Sequence, residues 1–123
     1  MLKDSLYKIL SINNITDGIS YRIKLLRDCP IYAAHFPGKP VTPGVCILQM
    51  VEELLADHSR RPLRIAIIKN AKFLTMLTPT EEVLQVNLFS IIQEEGQQVK
   101  VQSTVTDSSG TIYAKVSLIC NAV

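Results

Sequence analysis

Positions 35–45 constrain this chain more than any other part of its sequence. They read HFPGKPVTPGV, with three prolines and two glycines placed directly ahead of an apolar segment. Proline restricts φ and has no N–H, whereas glycine accepts positive φ and the close approach of other groups. The run therefore predicts a stiff loop that holds the imidazole of His35 near the start of the element that follows.

The segment that begins at Gly44 has the pattern of a buried helix. Apolar residues cover most of the helical wheel, at Val45, Ile47, Leu48, Met50, Val51, Leu54 and Leu55. Polar residues return near the far end, and the sequence SRRP at 59–62 predicts where the helix stops. The first N–H groups of such a helix lack partners within it and can polarise a carbonyl. A histidine base beside them is suited to removing a proton next to a thioester carbonyl.

The rest of the chain reads as strands. Period-two alternation predicts strands at 7–12 and 19–25, joined as a hairpin through the turn-rich segment 13–18. The later strands are predicted at 63–77, 83–92, 98–106 and 111–120, with turns at 78–80, 94–96 and 107–110. Short turns between long strands favour antiparallel pairing. One buried helix and about six antiparallel strands predict a single α+β domain over residues 1–123.

Composition narrows the class of protein. With 123 residues, 47% of them hydrophobic, one domain with a real core is expected. The net charge of +2 comes without a clustered basic patch, which argues against nucleic acid as a partner. We expect no secretory signal, no membrane span and no metal site. Three well-separated cysteines predict free thiols, and hence a cytoplasmic protein.

The run at 35–45 resembles the signature of the hot-dog-fold 3-hydroxyacyl-[acyl-carrier-protein] dehydratases. That signature has His-Phe-Pro-Gly, a proline two residues later, and Pro-Gly-Val ahead of a helix; positions 35–38, 40 and 43–45 match it. The segment IKNAKF at 68–73, with Pro79 behind it, is similar to the strand that follows the helix in this family. The resemblance covers nearly the whole chain and implies a sheet of about six strands wrapped around one long central helix.

The same resemblance implies an activity and its partners. The activity is a hydro-lyase reaction on 3-hydroxyacyl thioesters in fatty acid or polyketide-like synthesis, with no bound cofactor. The acyl group would arrive on the phosphopantetheine of an acyl carrier protein, or as a coenzyme A thioester. The family also implies a homodimer, or a trimer of such dimers, in which His35 of one subunit works with a helix carboxylate of the other.

One position departs from the family pattern. Five residues after the Pro-Gly glycine the family has glutamate or aspartate, and this chain has Gln49. We assign His35 as the base, the Gly44 N–H as the carbonyl activator, and Gln49 as the occupant of the acid's place. His35 can act as both base and acid while Gln49 orients the substrate. Alternatively Glu52 or Glu53 reaches the site, although a solvated helix end is the more ordinary role for both. In a third account the chain binds thioesters without dehydrating them.

Several apolar residues near the loop are candidates for the acyl-binding wall, although each is equally suited to the core: Phe36, Pro43, Val45 and Phe73, with Val41 and Leu48. Cys46 is interpreted as a small buried hydrophobe, because no second histidine is placed to activate it. Two alternative functions stay open. One is a non-catalytic acyl-thioester-binding subunit that pairs with an active homologue. The other is a thioesterase on the same fold, which needs a carboxylate or a polarised water near the carbonyl that Gln49 does not supply.

Overall fold

The computed structural model describes residues 1–93 and 96–123 and, within them, places six strands in one antiparallel sheet. The strands are β1 (Tyr7–Ile15), β2 (Gly18–Leu25), β3 (Leu63–Phe73), β4 (Leu84–Gln93), β5 (Gln98–Asp107) and β6 (Ile112–Ala122). The helices are α1 (Pro30–Ala34) and α2 (Gly44–Ser59). The sheet order is β1-β2-β4-β5-β6-β3, so β1 and β3 are its edges. The predicted α+β architecture is confirmed. Glu94 and Glu95, in one predicted turn, lie outside the described residues.

Helix α2 has the limits that the sequence predicts. It ends because Arg60 adopts the left-handed conformation, with φ 56°, and its N–H returns to the Ala56 and Asp57 carbonyls. Pro62 follows two residues later and cannot continue the helix. In the described part of the chain, neither helix is long and apolar enough to cross a membrane.

The core lies between α2 and the sheet. The helix contributes Ile47, Met50, Val51, Leu54 and Leu55, and the strands contribute chiefly Tyr21, Ile23, Val86, Leu88, Val101 and Leu118. Contrary to the expectation of a helix buried on all sides, one stripe of α2 is uncovered in the single chain. Val45 is 70% exposed, and Leu48, Gln49 and Glu52 are half-buried. Their spacing of three, four and seven residues places them on one face.

Tertiary pairing changes the predicted element boundaries. Residues 13–15 were expected in a turn, but they extend β1 and pair with residues 18–20 of β2. Only Thr16 and Asp17 remain as the hairpin turn, with Asp17 at φ 58°. Strand β3 stops at Phe73 instead of continuing to position 77. The sequence also failed to predict α1, which has five residues and carries too little periodicity to be detected.

The β5–β6 turn is held by one buried carboxylate. Asp107 Oδ1 accepts from the Ser109 and Thr111 N–H groups at 2.9 and 3.0 Å, and Oδ2 accepts from the Tyr113 hydroxyl at 2.9 Å. Burial acts to raise the pKa of Asp107, but these hydrogen bonds favour the charged form more strongly and hold the pKa below its ordinary value.

We therefore expect the effect of Asp107→Ala on stability to depend on pH. A carboxyl whose pKa is lowered by folding stabilises the fold above its unfolded pKa, near 4, and loses that contribution as pH falls below it. The stability difference between wild type and Asp107→Ala, measured by urea unfolding, should be largest at pH 6–7 and shrink towards pH 2–3. A difference that stays constant over this range would contradict the assignment.

Candidate active site

The loop that carries His35 is closed by its own backbone. Helix α1 ends at Ala34 with His35 as its C-cap residue, and the His35 carbonyl accepts from the Val41 N–H at 3.0 Å. Between them, Phe36 and Lys39 exchange two backbone hydrogen bonds of 3.2 and 2.9 Å. Gly38 sits in this turn at φ 74°, where a side chain would be strained. The loop therefore has the specific shape that the sequence predicts, and its stiffness stays a prediction.

The imidazole of His35 is oriented by a carbonyl. Nδ1 lies 3.3 Å from the Val41 oxygen. A carbonyl oxygen can only accept, so in the neutral ring Nδ1 carries the proton and Nε2 keeps its lone pair. The ring also stacks on Phe36, with centroids 4.2 Å apart. Nε2 is therefore the nitrogen available as a base.

A buried tyrosine anchors the second half of the loop. The Tyr32 hydroxyl and Thr42 Oγ1 lie 2.8 Å apart, and the Thr42 N–H donates to the Leu77 carbonyl at 2.8 Å. Burial raises the pKa of Tyr32 to about 12, so the hydroxyl stays protonated. Both bonds hold Thr42 in place. Because Thr42 directly follows Val41, they also help to fix the Val41 carbonyl that orients His35. The sequence contained no signal for this role of Tyr32.

Helix α2 begins without a side-chain cap. Pro43 precedes it in an extended conformation, with φ −61° and ψ 146°. The first N–H groups, of Gly44 and Val45, have no acceptor within the helix and carry the positive end of its dipole. An ideal Cβ at Gly44 would lie 2.9 Å from the ring of Phe73. Glycine here lets Phe73 pack against the helix start.

These elements enclose a cavity of about 310 Å³, which we call the His35 pocket. It is lined by His35, Val41, Thr42, Pro43, Gly44, Ile47 and residues 73–77. The structure thus brings together five of the predicted candidate residues: His35, Val41, Pro43, Gly44 and Phe73. Phe36 does not line this cavity; its side chain is 52% exposed.

Gln49 lines a different cavity, of about 620 Å³, which we call the Gln49 pocket. Its walls are Met1, Val45, Leu48, Gln49, Glu52, Glu53, residues 62–65, Ile68 and Val123. Both pockets are bordered by α2 and β3. Within one chain, His35 and Gln49 are therefore not in the same pocket.

The two glutamates of α2 are not at a solvated helix end, which corrects that expectation. Glu53 is only 8% exposed and accepts hydrogen bonds from four donors. Glu52 is half-buried and accepts from the Ile65 N–H at 2.8 Å. No local pattern could indicate this, because the donors to Glu53 include Leu2 and Lys3 near the start of the chain.

The remaining candidates have structural roles or none. Cys46 packs against the core, and burial raises the pKa of its thiol, which disfavours a nucleophile. All three cysteines are free thiols, as predicted. His58 is exposed. Across residues 1–93 and 96–123, no group of three or more histidine, cysteine or acidic side chains is placed to hold a metal ion.

A six-stranded antiparallel sheet packed around one long helix is the hot-dog fold, and here a histidine loop precedes the helix. Comparison with known families agrees: residues 11–115 match the ApeI-like family, described as ApeI dehydratase. The chain belongs to this family of hot-dog dehydratases.

Curated relatives carry related names. The 3-hydroxyacyl-[acyl-carrier-protein] dehydratase FabZ of Chlamydia trachomatis serovar L2 is 29% identical over 107 residues, covering 80% of this chain and 70% of the relative. FabZ of Chlamydia pneumoniae is 29% identical over 119 residues, covering 89% and 77%.

Solved structures with the same fold have diverged further. The ApeI:P dehydratase heterocomplex of Xenorhabdus doucetiae matches with a TM-score of 0.74 at 14% identity, covering 92% of this chain and 96% of that chain. A hypothetical thioesterase of Streptococcus pneumoniae, solved with coenzyme A, matches with a TM-score of 0.65 at 10% identity, covering 95% and 85%. At these identities the similarity shows the fold alone.

Proposed function

We propose that this protein is a hydro-lyase that removes water from 3-hydroxyacyl thioesters. The observation that carries the proposal is the His35 pocket, where an imidazole with an available Nε2 shares a cavity with the uncapped start of α2. The family and the FabZ relatives support the same reaction class. A base beside an oxyanion-binding helix start is the arrangement that removal of a proton next to a thioester carbonyl requires.

The reaction balances with these groups alone. His35 Nε2 takes the α proton, and the electron pair of that C–H bond moves into the thioester to form an enolate. The N–H group of Gly44, at the start of α2, stabilises the enolate oxygen. The enolate then re-forms the carbonyl and a Cα–Cβ double bond as the β C–O bond breaks. The leaving oxygen takes the proton from the His35 imidazolium, which yields water and restores the base.

We propose that Gln49 of the partner subunit orients the β-hydroxyl in a homodimer. Gln49 and His35 line separate pockets in one chain, so a shared site requires a second chain. Edge strand β3 has Ile67 and Ile68 about half exposed, at 50% and 49%, and edge strands offer unpaired backbone groups to a partner. We expect a monomer at micromolar concentration to be inactive, and sedimentation analysis to find a dimer or a trimer of dimers.

We propose further that the acyl group arrives on the phosphopantetheine of an acyl carrier protein, in the cytoplasm, with coenzyme A as the alternative carrier. No resident cofactor is required, because the proposed chemistry is proton transfer. The FabZ relatives are named for carrier-protein substrates, which supports this choice. Turnover of one short acyl chain on both carriers would decide between them.

The test is turnover of a short 3-hydroxyacyl carrier-protein thioester by wild type, His35→Ala and Gln49→Glu. The proposal expects wild-type turnover that His35→Ala loses. The carboxyl introduced by Gln49→Glu would face the Glu53 side chain, and repulsion between like charges favours its protonated form. Such a group can donate a proton, so we expect Gln49→Glu to match or exceed wild type. Absence of wild-type turnover on every carrier would overturn the proposal.

A second candidate function is favoured by Gln49 itself. A subunit that lacks the usual carboxylate can bind acyl thioesters while a homologous partner supplies catalysis. The similar Xenorhabdus doucetiae structure is a dehydratase heterocomplex, which supports this candidate. A silent wild type that binds the thioester and becomes active as Gln49→Glu would establish it.

Gly44→Ala tests the helix start. The added methyl group would meet the Phe73 ring at 2.9 Å, and this half-exposed ring can move away, so we expect stability to change by only about 1 kcal/mol. The displaced ring changes the His35 pocket beside the activating N–H, so kcat/KM should fall at least tenfold. Adding Phe73→Ala should restore part of the activity. Equal kcat/KM in wild type and Gly44→Ala would contradict the role assigned to this position.

A further inference from the structure

The Gln49 side chain is tied to one carboxylate. Its Nε2 donates to Glu53 Oε2 at 3.0 Å, one helical turn further along α2. Both residues line the Gln49 pocket. An amide can face a partner with either its nitrogen or its oxygen, so the chemistry of Glu53 decides which atom faces the pocket.

Glu53 acts only as an acceptor. Oε2 also accepts from the Leu2 N–H at 2.7 Å, and Oε1 accepts from the Lys3 N–H at 2.9 Å and the Tyr7 hydroxyl at 3.0 Å. Backbone N–H groups can only donate. Burial and the nearby carboxylate raise the pKa of Tyr7 well above its ordinary range, so this hydroxyl donates as well. With two donors on each oxygen, all four contacts use Glu53 as an acceptor, and neither oxygen is left for a substrate.

The orientation of Gln49 follows from these contacts. A carboxylate that only accepts requires the NH₂ end of the amide, so Oε1 points elsewhere. Among the described residues, none donates a hydrogen bond to Gln49 Oε1. We infer that Glu53 is a positioning residue: it holds the Gln49 amide with its oxygen free, as an acceptor for the substrate β-hydroxyl. This inference rests on the proposed function and assigns the site a hydroxyl-binding acceptor in place of a general acid.

The orientation can be tested without turnover. Hydrogen exchange of the Gln49 side-chain NH₂, assigned by its loss in Gln49→Ala, reports the bond to Glu53. We expect exchange at least tenfold faster in Glu53→Ala and an intermediate rate in Glu53→Gln, because a neutral amide accepts more weakly than a carboxylate. Tyr7→Phe is the matched control: it removes another bond to Glu53 and should leave the Gln49 exchange rate within about twofold of wild type.

Kinetics test whether the orientation serves the reaction. Glu53→Ala should lower kcat about tenfold to a hundredfold with KM within about twofold, while Tyr7→Phe should change kcat less than twofold. The double variant Gln49→Ala with Glu53→Ala should be no slower than Gln49→Ala, because Glu53 acts through Gln49.

Two results would overturn the inference: unchanged Gln49 exchange in Glu53→Ala, or independent, multiplying losses in the double variant. If Glu53→Ala does not fold, the same comparisons with Glu53→Gln decide. A wild type without turnover refutes the proposed function, whereas the exchange measurement still tests the orientation.

Discussion

His35→Ala is expected to lower kcat for dehydration by about 10²–10⁴-fold, since positioned proton transfer contributes that much to such reactions. The variant removes both the base that takes the α proton and the acid that returns it to the leaving oxygen. It should remain folded, because the loop is also held by backbone hydrogen bonds and by Tyr32 with Thr42. Steady-state turnover of a short 3-hydroxyacyl carrier-protein thioester, with thermal unfolding in parallel, measures both effects.

The matched control is His58→Ala. His58 is the other of the two histidines and is exposed near the end of α2, away from both pockets. It should retain wild-type kcat within about twofold. His35→Ala with activity within threefold of wild type would remove His35 from the mechanism. Equal losses of kcat in both variants would show that the effect is not specific to His35, which would contradict its assigned role.

Glu53→Ala is expected to destabilise the fold by about 3–5 kcal/mol. The variant leaves the hydroxyl of Tyr7, a residue that is only 1% exposed, without its acceptor. It also releases the Leu2 and Lys3 N–H groups. An unsatisfied buried donor costs about 1–3 kcal/mol, and the two N–H groups near the start of the chain cost less because water can reach them. Urea unfolding of wild type and variant measures the difference.

Glu52→Ala is the control for Glu53→Ala. Glu52 is the preceding residue of the same helix and accepts from a single backbone N–H, that of Ile65. We expect it to cost about 1 kcal/mol. If Glu53→Ala lowers the free energy of unfolding by no more than Glu52→Ala does, Glu53 does not anchor the first residues of the chain. The network around Gln49 is then weaker than its geometry indicates.

Local signals were sufficient for the helix and for most strands. The limits of α2 follow from Gly44, from the left-handed Arg60 and from Pro62, all of which act within a few residues. Alternation with period two located β2 and β4–β6 to within two residues at each end. The β1–β2 turn was predicted too long, because pairing with β2 overrides the turn preference of Asn13 and Asn14.

For the candidate site, the sequence by itself determined the loop. Proline and glycine at 35–45 act through their own φ restrictions, so a stiff loop ahead of a helix could be predicted without any partner residue. The resemblance to the dehydratase signature also identified His35, Gly44 and Gln49 as candidate site residues. Their assigned catalytic roles stay predictions until turnover is measured.

Only the tertiary structure decided what surrounds these residues. The burial of Glu53 depends on Leu2 and Lys3, which are 51 and 50 positions away in sequence, and the orientation of Gln49 depends in turn on Glu53. The separation of His35 and Gln49 into two pockets depends on how β3 packs beside α2. Contacts between distant segments form only when the chain closes on itself, and no local pattern of residue types encodes which donor meets which acceptor.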